Sequence, residues 1–334
     1  MSNACHTENP APADTSAPAT HENRVCVIGC GRVGMASAYA LIQSSFIREL
    51  VLVGRSPERT EGEVMDLEHA VAVPMKPPVK VIHGDYAEAA RSSVVVVTAG
   101  EATSGPGMSR LDLLSKNIGI VRDIAVKLKA EGFAGVLVMA SNPVDILAQV
   151  AQEACGLPAG QVIGTGTLID TARLRGLLAE ELGVEPRGGR LRHRGARGLG
   201  DRGVERRPGR RRQARTLPRR AGAPGLRRLL DRVRRAGPEV VRRKGHTAYA
   251  IGLCVQRICE AVLRNERAVL AVSALLQGEY GIEGVYLGTP CVAGKNGVER
   301  VIELDLDAGE REGMQASANL LRGMRQDILE KDGA

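Results

Sequence analysis

Short apolar runs alternate with amphipathic stretches over the first half of the chain. The runs at 24–29, 49–53, 79–82, 94–100 and 135–140 are rich in β-branched residues, and the first and fourth end at glycine. Continuous apolar runs of this length are typical of buried parallel strands, and the stretches between them have helical spacing. The alternation predicts an α/β fold with a doubly wound parallel sheet, whose strand ends face one crevice.

The second half of the chain follows a different pattern. Residues 170–182 and 308–330 have helical spacing, 233–264 has the spacing of one long helix, and 268–305 alternate like antiparallel strands. Between them, residues 187–232 are rich in arginine and have no clear periodicity. We therefore expect an α+β domain that is disrupted by this segment.

A glycine-rich turn, GCGRVG at 29–34, follows the first predicted strand and opens a predicted helix. This context is that of a Rossmann dinucleotide fingerprint. The first glycine makes the tight turn, the second admits the pyrophosphate, and the third lets helix and strand pack closely. Free N–H groups at the start of the helix then face the phosphates. The turn predicts an NAD site in which the pyrophosphate contacts Gly29, Gly31, Val33 and Gly34.

One element of that fingerprint is missing. Twenty residues after Gly34, where an acidic residue would accept the adenine-ribose hydroxyls, the chain has Gly54 followed by Arg55. Loss of the carboxylate removes repulsion toward a 2′-phosphate, and Arg55 could pair with one. We expect this chain to tolerate NADP better than its relatives do; the alternative is a solvated arginine on a turn.

The net charge of +8 is unevenly distributed. Residues 187–232 contain 17 of the 46 basic residues and three acids, so the rest of the chain is acidic, with a net charge of −6. An arginine-rich arm for RNA or acidic partners is one interpretation. Single-strand binders usually add stacking aromatic residues, which this segment lacks. A nucleic-acid partner is therefore not expected.

Other features of the composition limit where the protein is expected to be located and which chemistry it is expected to use. No run of 18 apolar residues indicates a membrane span. The polar N-terminus has no apolar signal region and predicts a disordered tail. Seven scattered cysteines without a CxxC pair favour reduced thiols, with neither a disulfide framework nor a metal site. We expect a cytoplasmic protein.

Further motifs carry a family resemblance. They are PGMSRLDLLSKN around Arg110, SNPVD at 141–145, DTAR at 170–173, MDLEHA at 65–70 and QGEYGI at 277–282. Over residues 24–186 and 233–327 the chain is similar to the lactate/malate dehydrogenase family, in particular its bacterial L-lactate dehydrogenase branch. The domains expected on this basis are a tail at 1–23, a dinucleotide-binding domain at 24–165 and a substrate domain at 166–334.

The resemblance also implies roles for individual residues. Arg173 would clamp the substrate carboxylate as a bidentate fork, a task that lysine performs poorly. Arg110 would polarise the ketone, and Asp170 would orient a catalytic histidine. Other implied positions are Asn142 and Thr247 at the substrate, Arg175 at a sugar-phosphate effector site, and Tyr86, Gly100, Ser141 and Asn142 along the cofactor.

The loop that sets specificity departs from the family. It is one residue longer than usual, and Ser104 stands where lactate enzymes carry glutamine and malate enzymes carry arginine. Serine has neither the bulk nor the charge. The surrounding sequence favours lactate, and malate remains the alternative.

The family's proton donor is a histidine in a Gly-Glu-His-Gly-Asp motif, and this chain lacks it. Near the expected position it has only His193, without the flanking motif. A frame displaced by one nucleotide permits Gly-Glu-His-Gly-Asp-Ser-Glu-Thr-Val-Ala-Trp-Ser over residues 194–205, with the histidine out of frame at Ala196. We interpret residues 188–230 as a frameshifted reading of an ordinary dehydrogenase.

The resemblance implies reversible hydride transfer between NAD(H) and a small 2-oxo or 2-hydroxy acid, pyruvate and L-lactate above all. It also implies a homotetramer, although the interfaces lie near the disrupted segment. As written, the chain keeps the cofactor cradle and the carboxylate clamp without the proton donor. We therefore expect very slow turnover, or an inactive dinucleotide-binding pseudoenzyme.

Overall fold

The computed structural model describes residues 21–73, 78–101, 110–183, 185 and 224–332. Ser104, His193 and Ala196 lie outside these residues. The strands are β1 His21–Ile28, β2 Glu49–Val53, β3 Lys80–His83, β4 Ser92–Val97, β5 Val136–Met139, β6 Val162–Gly164, β7 Ala268–Gln277, β8 Glu283–Gly294 and β9 Gly297–Val301. The helices are α1 Arg32–Ile42, α2 Pro57–Ala72, α3 Tyr86–Ala90, α4 Arg110–Ala130, α5 Val144–Cys155, α6 Leu168–Leu182, α7 Pro224–Lys244, α8 Tyr249–Leu263 and α9 Ala308–Asp332.

The strands of the described residues form one sheet in the order β3-β2-β1-β4-β5-β6-β7-β8-β9. From β3 to β6 the strands are parallel, and from β6 onward they pair antiparallel. The direction changes at the pair Gly164–Ser273. The chain reverses its winding between β1 and β4, so a crevice opens beyond their carboxyl ends. The predicted doubly wound parallel sheet, followed by an α+β part, is confirmed.

The parallel strands are buried on both faces, which explains their continuous apolar sequences. In β1, Val25 and Val27 pack on the side that includes α8, whereas Cys26 and Ile28 pack on the side of α4 and α5. All four side chains are almost fully buried. These two apolar clusters hold the strand ends, and therefore the crevice, in a fixed geometry.

The predicted antiparallel strands at 268–305 and the C-terminal helix at 308–330 are present as β7 to β9 and α9. The prediction of one long helix over 233–264 is wrong, because α7 ends at Lys244 and α8 begins at Tyr249. Gly245 follows α7 with φ of 81° and donates its N–H to the carbonyl of Val241. A glycine in this left-handed conformation is a common helix terminator.

The interpretation of 187–232 as wholly aperiodic also needs correction, since α7 begins at Pro224. Leu229 and Val233, four residues apart, are buried on one side of α7, while Arg227, Arg228 and Arg234 are exposed. Four-residue spacing places two side chains on one helix face. This short apolar stripe was obscured by the surrounding arginines.

Candidate cofactor and substrate site

A cleft of about 590 Å³ opens at the carboxyl ends of β1, β2 and β4. It is bounded by the residues after each strand, namely Gly29 to Gly31 after β1, Val53 to Ser56 at and after β2, and Thr98 to Glu101 after β4. The predicted cofactor residues Gly29, Gly31, Gly54, Arg55, Tyr86 and Gly100 all line it. Residues that are far apart in the sequence therefore meet where the winding of the sheet reverses, between β1 and β4.

The three glycines of the turn have distinct surroundings. Gly29 has φ of 108°, and a Cβ there would lie 2.6 Å from the backbone nitrogen of Ala99. A Cβ on Gly34 would lie 1.9 Å from the Gly29 carbonyl oxygen, which is much closer than van der Waals contact. Gly31, at the start of α1, has no heavy atom within 4 Å of such a Cβ. The free space over Gly31 is the kind of cradle that a dinucleotide pyrophosphate needs, so the residues fit NAD.

A buried asparagine joins the loops at the inner end of the cleft. Asn117 on α4 accepts the Glu101 N–H at 2.8 Å and donates to the carbonyls of Glu101 and Asn142 at 3.1 and 3.3 Å. Ser141 donates its hydroxyl to the Ala99 carbonyl at 2.6 Å. These bonds fix the loop at 99–101 against the end of β5, where the sequence places Ser141 and Asn142 along the cofactor.

Helix α4 supplies cleft residues that the sequence reasoning missed: Ile120, Asp123, Ile124 and Lys127. Lys127 donates to Asp123 at 2.7 Å and lies 5.3 Å from the centre of the Tyr86 ring. Burial raises the pKa of the Tyr86 hydroxyl, so it remains a neutral donor at neutral pH. The signal for these residues is their spacing, which places all four on one face of α4.

The wall around β2 and α2 contains further residues that were missed, Cys30, Arg59 and Thr60. The Thr60 hydroxyl donates to the Ser56 carbonyl at 2.8 Å and is buried. Burial raises the pKa of the Cys30 thiol, with Thr60 hydrogen bonding opposing the effect. Cys30 is therefore protonated and packs as a small neutral side chain.

Asp170 and Arg173 lie one helical turn apart on α6 and form an ion pair. Nη1 of Arg173 donates to Oδ1 of Asp170 at 2.8 Å. The guanidinium also lies against α7, 3.5 Å from the position of a Cβ on Gly237. Arg173 is the more buried partner, with 24% of its side chain exposed against 46% for Asp170. The two residues implied as clamp and orienting acid are thus paired with each other.

Most of the remaining predicted site residues lie at or near the ends of elements, whereas Arg175 lies in the middle of α6. Arg110 is the first residue of α4, and Thr247 lies in the connection between α7 and α8, partly buried. Val33 is in the first turn of α1, where its carbonyl accepts the Ser37 hydroxyl at 2.9 Å. Asn142 and Arg175 are exposed.

The described residues also bear on two other kinds of site. No helix there is both long and apolar enough to cross a membrane. Within the same ranges, no three His, Cys, Asp or Glu side chains are grouped so that they could hold a metal ion.

The sheet order and the glycine-lined cleft define a dinucleotide-binding α/β protein. The model of the lactate/malate dehydrogenase NAD-binding domain matches residues 23–164, and that of the family's α/β C-terminal domain matches residues 222–331. The chain belongs to the lactate/malate dehydrogenase family. By homology it is an NAD-dependent enzyme of the oxidoreductase class, as the motifs predicted.

Individual relatives agree with this assignment. The L-lactate dehydrogenase of Priestia megaterium is 39% identical over 322 residues, covering 90% of this chain and 95% of the relative. That of Synechococcus sp. (strain JA-3-3Ab) is 41% identical over 307 residues, covering 89% and 96%. The crystal structure of the minor L-lactate dehydrogenase from Enterococcus mundtii superposes with a TM-score of 0.79 at 36% identity, covering 92% of this chain and 98% of that one.

Proposed function

We propose that this chain descends from an L-lactate dehydrogenase that transfers a hydride reversibly between NAD(H) and pyruvate or L-lactate. The observation that carries the proposal is the joint presence of a glycine-lined cleft that fits NAD and of Arg173, paired with Asp170 on α6, in a chain whose relatives are named L-lactate dehydrogenases. A malate-type substrate is the alternative. The division at residue 165, a cytoplasmic location and a homotetramer belong to the same proposal.

Bound NAD(H) supplies or accepts the hydride, and the side chains of this chain bind and orient the acid. Arg173 presents a guanidinium with five N–H donors, of which the described structure engages one with Asp170. The remaining edge can bind a carboxylate through two parallel hydrogen bonds. Arg110 would polarise the ketone, and Asn142 and Thr247 would contact the substrate. Arg175 would bind a sugar-phosphate effector.

The step for which the chain has no assigned residue is proton transfer to the ketone oxygen. A positioned general acid contributes about 10²–10⁴-fold to such a reaction. The family models leave residues 165–221 unmatched, an interval that contains Ala196. This supports the proposal that a displaced frame, ending between about 222 and 230, removes the histidine. Dinucleotide binding without turnover is the second candidate function, favoured by the pairing of Asp170 with Arg173.

The test begins with resequencing the coding DNA across codons 180–240. We expect one base missing or added at each end of the segment. The printed and frame-restored chains are then compared in pyruvate reduction by NADH, with pyruvate replaced by oxaloacetate in parallel. The restored chain should be at least about 10²-fold faster, and a matched form with asparagine in place of the restored histidine should lose this gain. Normal turnover by the printed chain, or no gain on restoration, would contradict the proposal.

A further inference from the structure

The adenosine end of the cleft differs from that of an NAD-only site. At the end of the second strand such a site carries an acid that accepts the ribose hydroxyls and repels a 2′-phosphate. Here that position is Gly54, and the next residue, Arg55, lines the cleft with an exposed side chain. The described residues place no acidic side chain in an ion pair with Arg55. The charged residues that line the cleft here, Arg55 and Arg59, are both positive, whereas an NAD site carries an acid at the end of the second strand.

Neighbouring side chains also occupy the space that the missing acidic side chain would need. A Cβ on Gly54 would lie 2.1 Å from the Thr60 hydroxyl oxygen and 3.3 Å from the Cys30 sulfur. Thr60 cannot withdraw easily, because it is buried and its hydroxyl is bonded to the Ser56 carbonyl. The wall is thus packed around a glycine, and an aspartate would require Thr60 to move.

The first turn of α2 adds a second cation and a helix N-terminus. Ser56 caps the helix, with its hydroxyl accepting the Arg59 N–H at 3.4 Å. Arg59 lines the cleft and is 70% exposed, and its one described ion pair is loose, with 3.9 Å between its Nε and Oε1 of Glu63. Two arginines, a serine and the positive end of a helix dipole therefore lie at this end of the cleft, and Glu58 is the acidic residue of the same helical turn.

We propose that this position binds the 2′-phosphate of NADP(H), so that the chain binds NADP(H) about as tightly as NAD(H). Arg55 and Arg59 would donate charge-assisted hydrogen bonds to the phosphate oxygens. The proposal rests on dinucleotide binding in the same cleft. It concerns only the adenosine end of the cleft, and neither Asp170 nor Arg173 is among the residues that line this cleft.

The test compares NADH and NADPH by the fluorescence of the reduced nicotinamide on titration with purified full-length chain. The two cofactors differ only in the 2′-phosphate, so the ratio of their Kd values isolates this subsite. We expect the Kd for NADPH to be less than about ten times the Kd for NADH. In R55A/R59A this ratio should rise at least about tenfold, while the Kd for NADH stays nearly unchanged. R311A, which removes an exposed arginine from α9, is the charge control and should leave the ratio unchanged.

A ratio above about ten in the unaltered chain, or a double variant that weakens both cofactors equally, would overturn the proposal. Calorimetry with adenosine 2′,5′-bisphosphate and adenosine 5′-monophosphate separates this failure from that of the proposed dehydrogenase. These probes reach only the adenosine end, so a preference for the bisphosphate that R55A/R59A abolishes supports the subsite even where the nicotinamide end is defective. Equal binding of the two probes refutes it.

The reverse substitution is designed around Thr60. Gly54→Asp alone would collide with the Thr60 hydroxyl, so it is paired with Thr60→Ala, which removes that atom. We expect G54D/T60A to weaken NADPH at least about tenfold relative to NADH, and T60A alone to leave the ratio unchanged. An unaltered ratio in G54D/T60A would show that Gly54 does not admit the phosphate.

Discussion

The cofactor cleft and the α6–α7 region are positioned by different kinds of contact. Around the cleft, backbone bonds join the strand ends directly: Gly29 donates to the Val53 carbonyl at 2.8 Å and Thr98 to the Ile28 carbonyl at 2.9 Å. Between α6 and α7, the described contacts include an exposed ion pair, and α7 buries the side chains of Leu229 and Val233. Backbone bonds can form whatever the side chain, whereas the position of a helix packed by side chains depends on the identity of the residues that make the contacts.

The largest contrast we expect is within the cleft itself, between two glycines of the same turn. Gly34→Ala places a methyl group 1.9 Å from the Gly29 carbonyl oxygen, whereas Gly31→Ala meets no atom within 4 Å. Overpacking against backbone should cost Gly34→Ala about 3 kcal/mol or more of unfolding free energy. Gly31→Ala should keep the fold to within about 0.5 kcal/mol while raising the NADH Kd at least about tenfold. Urea unfolding and NADH titration measure both, and equal stability of the two variants would contradict the packing described.

The next contrast compares a buried leucine in the parallel sheet with a buried leucine on α7. Leu50 in β2 is fully buried in the parallel sheet, and Leu229 is 7% exposed on α7. Truncating buried leucine to alanine costs about 2–5 kcal/mol, depending on how well the site can collapse. We expect Leu50→Ala near the upper end and Leu229→Ala near the lower end in thermal or urea unfolding, with NADH binding retained in Leu229→Ala. If Leu229→Ala has no effect on stability, α7 does not pack as described.

The cofactor half and the region of α6 to α8 also differ in how well the sequence predicts them. The parallel strands and the turn at 29–34 were predictable because a strand buried on both faces is apolar throughout and the glycines adjoin it. Thr60 and Lys127 were not, because each lies within a helix, and spacing shows which residues share a helix face but not that the face lines the cleft. The boundary between α7 and α8 was missed because apolar spacing alone does not show where one glycine, Gly245, ends a helix. The role of Arg173 remains a prediction from resemblance.

A smaller effect concerns Arg24, a buried arginine in β1 that the sequence reasoning did not single out. Arg24 in β1 is 3% exposed and pairs with Glu88 of α3 and, at 3.6 Å, with Glu49. The hydrogen bond from Arg24 lowers the pKa of the Glu88 carboxyl. A lowered folded pKa contributes stability that is present above the unfolded value of 4.5 and is lost as pH falls through the folded pKa.

Glu88→Gln should therefore cost about 1 kcal/mol at pH 7, because hydrogen bonds to charged groups contribute about 1.5–3 kcal/mol and the 34% exposure of Glu88 lets solvent screen part of this. The difference from the unaltered chain should shrink as the pH falls below 4.5, since the Glu88 carboxyl of the unfolded chain then takes up a proton, and it should be lost once the pH is below the lowered pKa of the folded chain. Glu68→Gln, on the exposed side of α2, is the matched control and should show neither effect. The measurement is urea unfolding at pH values from 3 to 7; a difference that is constant over this window would contradict the pairing.

The smallest effect lies between α6 and α7, at the ion pair of Arg232 with Glu180. The two atoms are 3.1 Å apart, but the side chains are 42% and 66% exposed, so water and salt screen the pair. Arg232→Ala should change the unfolding free energy by less than about 0.5 kcal/mol, because exposed pairs contribute little. The Arg232→Ala variant is informative because it can be compared with Leu229→Ala on the same helix. A larger loss in Arg232→Ala than in Leu229→Ala would mean that charge, and not the apolar stripe of α7, holds the helix against α6. In that case 0.5 M salt should destabilise this region selectively, whereas the ladder of backbone bonds around the cofactor cleft should be unaffected.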